Sequence, residues 1–364
     1  MNTNLQKLSA SLSENRWDGL LITDPQHVYY LTGFASEPHE RFLGLLLVQG
    51  EDPVLIVPAL DAEAAHAASP GLRLVPHRDT DNPYSLLGEQ LHGLQAPQRF
   101  ALEKEHVSLA RYEQISAVIG AVAYDDAGPV LRDMRVRKTP EEIQRLKHAV
   151  RLVEEVLRHG LTHVKEGVTE VELVAELEYQ MKKLGADGPS FDTMALFGEK
   201  TALPHGTPGA RKLQYGDLVM FDLGVYAGGY ASDITRTFAY GSITPEQENI
   251  YQAVLGANLK GIEASRPGVT CASVDQAARS VIEQAGYGPA FNHRLGHGLG
   301  MGIHEYPSLH GSNQDPLIEG MVYTIEPGVY VPGVGGVRIE DDVLVTANGV
   351  EVLTSFPKEL TILG

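Results

Sequence analysis

The chain has 364 residues, 43% of them hydrophobic and 21% charged, an ordinary globular composition at a length that suggests two domains. A formal net charge of −18 argues against nucleic acid or any other polyanion as a partner. No run of about 18 apolar residues could span a membrane, and the single Cys271 excludes an internal disulfide and fits a reducing compartment, the cytoplasm.

The polar stretch Met1–Trp17 carries Leu5, Leu8 and Leu12 on one face. It reads as a helix over Leu5–Asn15 and lacks the apolar core of a secretory signal. Strands are expected at Gly19–Thr23, Leu43–Val48, Val54–Val57, Leu72–Val75, Arg99–Leu102 and Val122–Tyr124. Helices are expected at Ala59–Ala68, Tyr84–Leu94 and Ser108–Gly120. Their alternation predicts a small α/β domain over residues 1–127, closed by the turn-rich run Asp125-Asp126-Ala127-Gly128-Pro129.

Residues 128–364 make the second domain. Thr139-Pro140-Glu141-Glu142 offers a capping hydroxyl, a proline and two acids, so a helix starts there and runs to His159, ending at Gly160. Another follows Thr169 through Leu184, and two more are expected at Pro245–Ser265 and Val274–Ala285. Strand-rich sequence follows each helix pair, which predicts a duplicated α+β domain.

The two strand-rich stretches repeat each other. Leu218-Val219-Met220-Phe221 ends in Asp222, and Gly224-Val225-Tyr226 follows; Val322-Tyr323-Thr324-Ile325 ends in Glu326, and Gly328-Val329-Tyr330 follows. Each then turns through glycines and returns with another acid, Asp233 or Glu340. A two-residue turn at Ala227-Gly228 would face Asp222 with Asp233, and a hairpin centred on Gly333 would face Glu326 with Glu340. Opposed side chains on one sheet face stand about 5 Å apart at Cβ. One such acid is a solvated strand end. Two opposed pairs among apolar residues call for cations, because unpaired buried charge costs several kcal/mol, and carboxylate oxygens suit divalent metals.

Histidines gather beside these hairpins. His297 stands between glycines in Gly296-His297-Gly298-Leu299-Gly300, where backbone and ligand can approach closely. It is expected to be a metal ligand. His205, His293 and His304 are expected to face substrate as donors.

Asp222, Asp233, His297, Glu326 and Glu340, with the runs Ile303-His304-Glu305 and Gly336-Val337-Arg338-Ile339-Glu340, resemble the pita-bread metallopeptidases, the family of prolidase, aminopeptidase P, methionine aminopeptidase and the metal-free creatinases. The resemblance runs from Arg137 to the C-terminus. The preceding domain is similar to that of the creatinase, prolidase and aminopeptidase P branch. It implies a pita-bread catalytic domain behind a smaller α/β domain. It also implies two divalent ions, manganese first with cobalt or zinc as alternatives, held by the five residues. Glu326 would bind metal and act as general base. His205 and His304 would steady substrate and the tetrahedral intermediate, and Arg338 would orient Asp233 or the substrate. Pro38-His39-Glu40-Arg41 resembles a loop of bacterial prolidases; His39 and Arg41 would cap the substrate carboxylate, in cis or from a partner in a homodimer.

The activity implied is hydrolysis of the imide bond before proline in Xaa-Pro dipeptides by a metal-bridged hydroxide. Proline leaves no N–H for an ordinary peptidase to use. The alternatives are an aminopeptidase P that takes longer Xaa-Pro peptides, or a non-catalytic binding protein. The filled ligand set speaks against the last.

Overall fold

In the computed structural model, residues 3–93 and 95–364 are described. Met1, Asn2 and Leu94, the expected last residue of the Tyr84 helix, lie outside them. Contacts divide the chain between Met134 and Arg135.

The N-terminal unit is a six-stranded mixed sheet: β1 (Gly19–Ile22), β2 (Gly44–Val48), β3 (Val54–Pro58), β4 (Arg73–His77), β5 (Arg99–Leu102) and β6 (Ala123–Asp126), in the order β4-β3-β2-β1-β5-β6. Five helices accompany the strands: α1 (Thr3–Asn15), α2 (Pro25–Thr32), α3 (Ala62–Ala68), α4 (Pro83–Gln90) and α5 (Leu109–Ile119). Local chemistry places their starts. Asn82 accepts the amides of Tyr84 and Ser85 to cap α4, and Ser108 accepts that of Arg111 to cap α5. Helix α2 was not anticipated, although Asp24 caps it and Pro25 opens it. The turn-rich run expected to close the domain instead passes from β6 into α6 (Gly128–Val136). The contact boundary therefore falls seven residues beyond the expected one.

The C-terminal unit repeats a helix pair and a hairpin. The first pair is α7 (Pro140–Leu161) and α8 (Glu170–Lys183), each opened by a capping box, at Thr139/Glu142 and Thr169/Glu172. Helix α7 continues through Gly160 instead of ending there; a Cβ on Gly160 would meet Leu177 of α8 at 2.4 Å. The strands that follow are β7 (Gly188–Pro189), β8 (Met194–Phe197), β9 (Leu218–Leu223), β10 (Val225–Ala227), β11 (Tyr230–Ala231) and β12 (Ile234–Tyr240). The second pair, α9 (Pro245–Ala264) and α10 (Cys271–Gln284), precedes β13 (Gly296–Gly298), β14 (Glu305–Leu309), β15 (Val322–Ile325), β16 (Gly328–Val331), β17 (Gly335–Arg338) and β18 (Asp341–Thr346). Val153, Leu157, Leu173 and Leu177 pack on Phe197 and Phe221; Ile250, Val254 and Ala278 pack on Tyr323, Ile325 and Val343. Each hairpin thus has one face against its own helices and turns the other inward.

Candidate metal centre

Turn geometry decides which acids meet. Gly228 and Gly229, at φ 58° and 77°, make the first turn, so Tyr226 pairs with Ala231. The turn lies one residue later than expected, and the ladder places Asp222 opposite Thr235, not Asp233. A one-residue displacement of the turn moves each partner by two, which keeps the face: Asp233 remains on the side of Asp222 as its diagonal neighbour. In the second unit β16 and β17 pair about Gly333, and β15 pairs with β18 in the same register. Glu326 therefore lies opposite Glu340, as expected.

Hydrogen bonds lock the hairpins together. Thr235 donates its hydroxyl to Glu340 at 2.7 Å, and its carbonyl accepts the Glu340 amide at 3.1 Å. Thr237 bridges both main-chain groups of Arg338. The Asp233 amide donates to Asp342 at 3.1 Å. From α9, Asn258 donates to the carbonyls of Ile325 and Ile339, fixing the residue before each glutamate. Beneath the site Arg236, 1% exposed, donates to the carbonyls of Thr235 and Glu340 and to Asp341.

Burial and mutual repulsion raise the acids. Asp233 is pushed well above the carboxylate range, by burial first and then by Glu340 and Asp222. Glu340 is raised likewise, by burial and then by Glu326 and Asp222. For Glu326 burial raises the carboxyl, Arg338 pulls it back and Asp222 adds repulsion, leaving it at about 7. Asp233 Oδ1 and Glu340 Oε1 are buried without a hydrogen-bond partner. His297 donates Nδ1–H to the Gly298 carbonyl at 3.1 Å, which leaves Nε2 as an open acceptor 3.6 Å from Asp233 and 3.4 Å from Glu326. Burial first, then His304, depresses this imidazole to about 3, so it stays neutral. Buried carboxylate oxygens with no donor, facing a neutral imidazole nitrogen, fit divalent metal. Asp233, His297 and Glu340 bring one donor atom each within 4.8 Å of one another.

Comparison with other buried acids sharpens this. Glu305 is held at about 2: burial opposes its charge, but Lys138 and Arg135 outweigh it. In the N-terminal unit Asp24, His27 and Glu103 also cluster. There both Glu103 oxygens are occupied, by the amides of Thr23 and Asp24 and by His27, so that cluster is complete without an ion.

The acids open on a cavity of about 940 Å³ lined by His205, His293, Arg294, His304, Tyr330 and Arg338 among others. A second hollow of about 1210 Å³ in the N-terminal unit, beside Leu46, Arg73 and His92, gathers no comparable set of groups. His205 and His304 are exposed, and the His304 ring stands edge-on to His297 at 4.3 Å. His293 is tied at both nitrogens: Nδ1 donates to the Arg294 carbonyl at 2.7 Å, and Nε2 accepts from the Tyr330 hydroxyl at 3.0 Å. It lines the cavity as expected of a substrate-facing residue, with both nitrogens already engaged by protein partners. Arg338 pairs with Asp222, where the resemblance implied Asp233 or the substrate, and also donates to Tyr330 at 2.7 Å. Register explains the exchange, since the ladder that separates Asp233 from Asp222 leaves Asp222 beside the guanidinium. Arg41 makes a two-point contact with Asp79 at 2.7 and 3.1 Å and pairs with Glu40; His39 sits at φ 54° in the same loop.

Sequence reasoning passed over Tyr330, Thr235, Asn258 and Arg294. Tyr330 lies inside the repeated Gly-Val-Tyr and Arg294 between His293 and His297, so proximity to known motifs was available as a signal. Nothing in the sequence marks Asn258.

Residues 144–347 match metallopeptidase family M24, and residues 4–137 match the creatinase/prolidase N-terminal domain. YkvY of Bacillus subtilis, named for an inferred dipeptidase activity, is 47% identical over 360 residues, 99% of each chain. The prolidase of Pyrococcus horikoshii superposes with a TM-score of 0.91 at 35% identity, over 99% of this chain and all of that one. The X-Pro aminopeptidase of Thermotoga maritima superposes at 0.88 with 31% identity, over 96% and 99%. The chain belongs to metallopeptidase family M24. It is a metallopeptidase whose C-terminal unit has the pita-bread fold behind a creatinase-type N-terminal domain.

Proposed function

We propose that this metallopeptidase is an Xaa-Pro dipeptidase, working with two divalent ions, manganese first, on the imide bond before proline. Asp222, Asp233, His297, Glu326 and Glu340 would hold the ions. The observation that carries the metal reading is the pair of orphaned oxygens, Asp233 Oδ1 and Glu340 Oε1, beside the open Nε2 of His297. The likeness to a prolidase over essentially the whole chain supports the substrate. When bound, the ions would supply a water that ionises near neutral pH and would polarise the scissile carbonyl.

The chain's own groups do the rest. Glu326 takes the proton of the attacking water and returns it to the proline nitrogen as the C–N bond breaks. Thr324 steadies Glu326 with a 3.3 Å hydrogen bond. His205 and His304 face the cavity where charge develops on the carbonyl oxygen and donate to it. Arg338 holds Asp222 in place through a buried ion pair. The loop Glu37–Arg41 is a candidate cap, in cis or from a partner subunit; in this chain Arg41 is engaged by Asp79. We take the protein as a cytoplasmic homodimer; among the described residues no helix is long and apolar enough to cross a membrane.

The second reading, an aminopeptidase P, is favoured by the likeness to the Thermotoga maritima enzyme. Hydrolysis of Ala-Pro against Ala-Pro-Ala by manganese-loaded protein separates the two. Preference for the dipeptide is expected; preference for the tripeptide would replace this reading with the second.

A further inference from the structure

The cavity holds two arginines in different states. Arg338 is spent: its three nitrogens donate to Thr235, to Tyr330 and the Pro204 carbonyl, and to Asp222. Arg294 is half-buried in the same wall, and its guanidinium makes one hydrogen bond, to the Ser308 hydroxyl at 3.2 Å. Among the described residues it makes no ion pair, although four site carboxylates lie in the same cavity. A guanidinium has five N–H donors in a planar fork, so most of its capacity is left over.

The backbone around Arg294 is held firmly. Arg279 on α10 pairs with Asp275 and donates to the carbonyls of Phe291 and His293 at 3.0 and 2.9 Å. Asp275 accepts the Leu295 amide at 3.2 Å, and the Arg294 carbonyl accepts His293 Nδ1–H. Both flanks are pinned while the head group is left unpaired. Such an arrangement suits an anionic ligand that arrives from the cavity.

We propose that Arg294 is the anchor for the substrate's terminal carboxylate, with Ser308 steadying the guanidinium. This rests on the dipeptidase reading. In Xaa-Pro only the proline nitrogen and Cα separate the scissile carbonyl from the carboxylate, so an anchor must stand in the wall that also carries the metal ligands. Arg294 does so: three residues before His297, its Cα is no more than about 11 Å from that ligand's. A carboxylate there would make a two-point, charge-assisted contact. A longer peptide offers a neutral amide at the same place and gains little. Specificity for dipeptides is thereby built into the catalytic unit itself.

The test compares Ala-Pro with its C-terminal amide in manganese-loaded wild type, Arg294→Gln and Arg294→Lys. For Arg294→Gln, kcat/KM on Ala-Pro falls about 100-fold, through KM, while the amide changes by less than about threefold, as loss of a charge-assisted pair requires. Arg294→Lys keeps part of the preference as a point charge. Bound manganese remains at the wild-type level in both. Equal losses on acid and amide, carried by kcat, overturn the assignment, as does an acid preference abolished by Arg41→Ala but kept by Arg294→Gln. Should the glutamine variant not fold, the lysine variant decides by the same ratio of acid to amide. Failure of the underlying reading shows separately, in a wild type that prefers the amide or Ala-Pro-Ala to Ala-Pro.

Discussion

Lowering the pH from 8 to 6 is expected to weaken manganese binding to the metal-free protein by at least about tenfold. Glu326 has its folded, metal-free value raised to about 7. It is mostly ionised at pH 8 and mostly protonated at pH 6, and its proton must leave before the oxygen can bind metal. One group with a value of 7 costs about a factor of ten in affinity across that interval, by the linkage between bound protons and binding. Asp233 and Glu340, both pushed well above the carboxylate range, steepen the dependence wherever they too hold protons. His297 adds nothing here: burial holds it at about 3, so it is neutral throughout. The sign is therefore fixed, with affinity rising with pH and protons released on binding. Calorimetric titration with manganese at pH 6, 7 and 8, in buffers of different ionisation enthalpy, reads both affinity and protons released. Equal affinity at pH 6 and 8 with no proton release would refute the argument that these carboxyls are raised by their surroundings.

Asp222→Asn or His297→Ala is expected to remove metal and abolish hydrolysis together, as read by elemental analysis and turnover; full activity in a metal-free variant would contradict the site. His205→Ala and His304→Ala should each keep both ions and lose roughly 100-fold in kcat, the scale of one missing oxyanion donor; metal lost from either would make it a ligand instead. Arg236→Met leaves Asp341, which is fully buried, with Lys358 as its remaining cation. By the cost of breaking a buried pair it should destabilise the protein by about 3–5 kcal/mol in denaturant titration; a change within about 0.5 kcal/mol, normal for a surface substitution, would mean that the pair does not hold the hairpins.

Local chemistry was legible where one signal had one reading. Thr139-Pro140-Glu141-Glu142 and Thr169 mark helix starts because a hydroxyl, a proline or acids at those positions satisfy exposed amides whatever the rest of the chain does. The second hairpin was legible because its longer loop centres on Gly333 alone. The first was misplaced by one residue because Ala227, Gly228 and Gly229 admit two placements of a two-residue turn, and only packing chooses between them. Helix α2 has eight residues and a short apolar face, so its period is weak even with Asp24-Pro25 ahead of it. What could not be read were side-chain partners distant in sequence. Arg338 and Asp222 are 116 residues apart, Arg41 and Asp79 are 38 apart, and no periodicity encodes either meeting.

The same physics that hides those pairs distinguishes function from scaffolding among the buried acids. Asp341 has Arg236 and Lys358, Glu170 has Lys200 and two backbone amides, and Glu305 has Arg135 and Lys138. Each is answered by cations from this chain. Asp233 and Glu340 are buried as deeply, yet after burial the groups that act on them most strongly are other carboxylates. A chain able to supply cations to three buried acids within one domain could have supplied them here. It places a neutral imidazole beside them instead, and the guanidinium of Arg338 pairs with Asp222. The cost of ionising these carboxyls is thus local: in the metal-free fold they are held toward the protonated form, and a divalent ion at the same point offsets the cost of their charge.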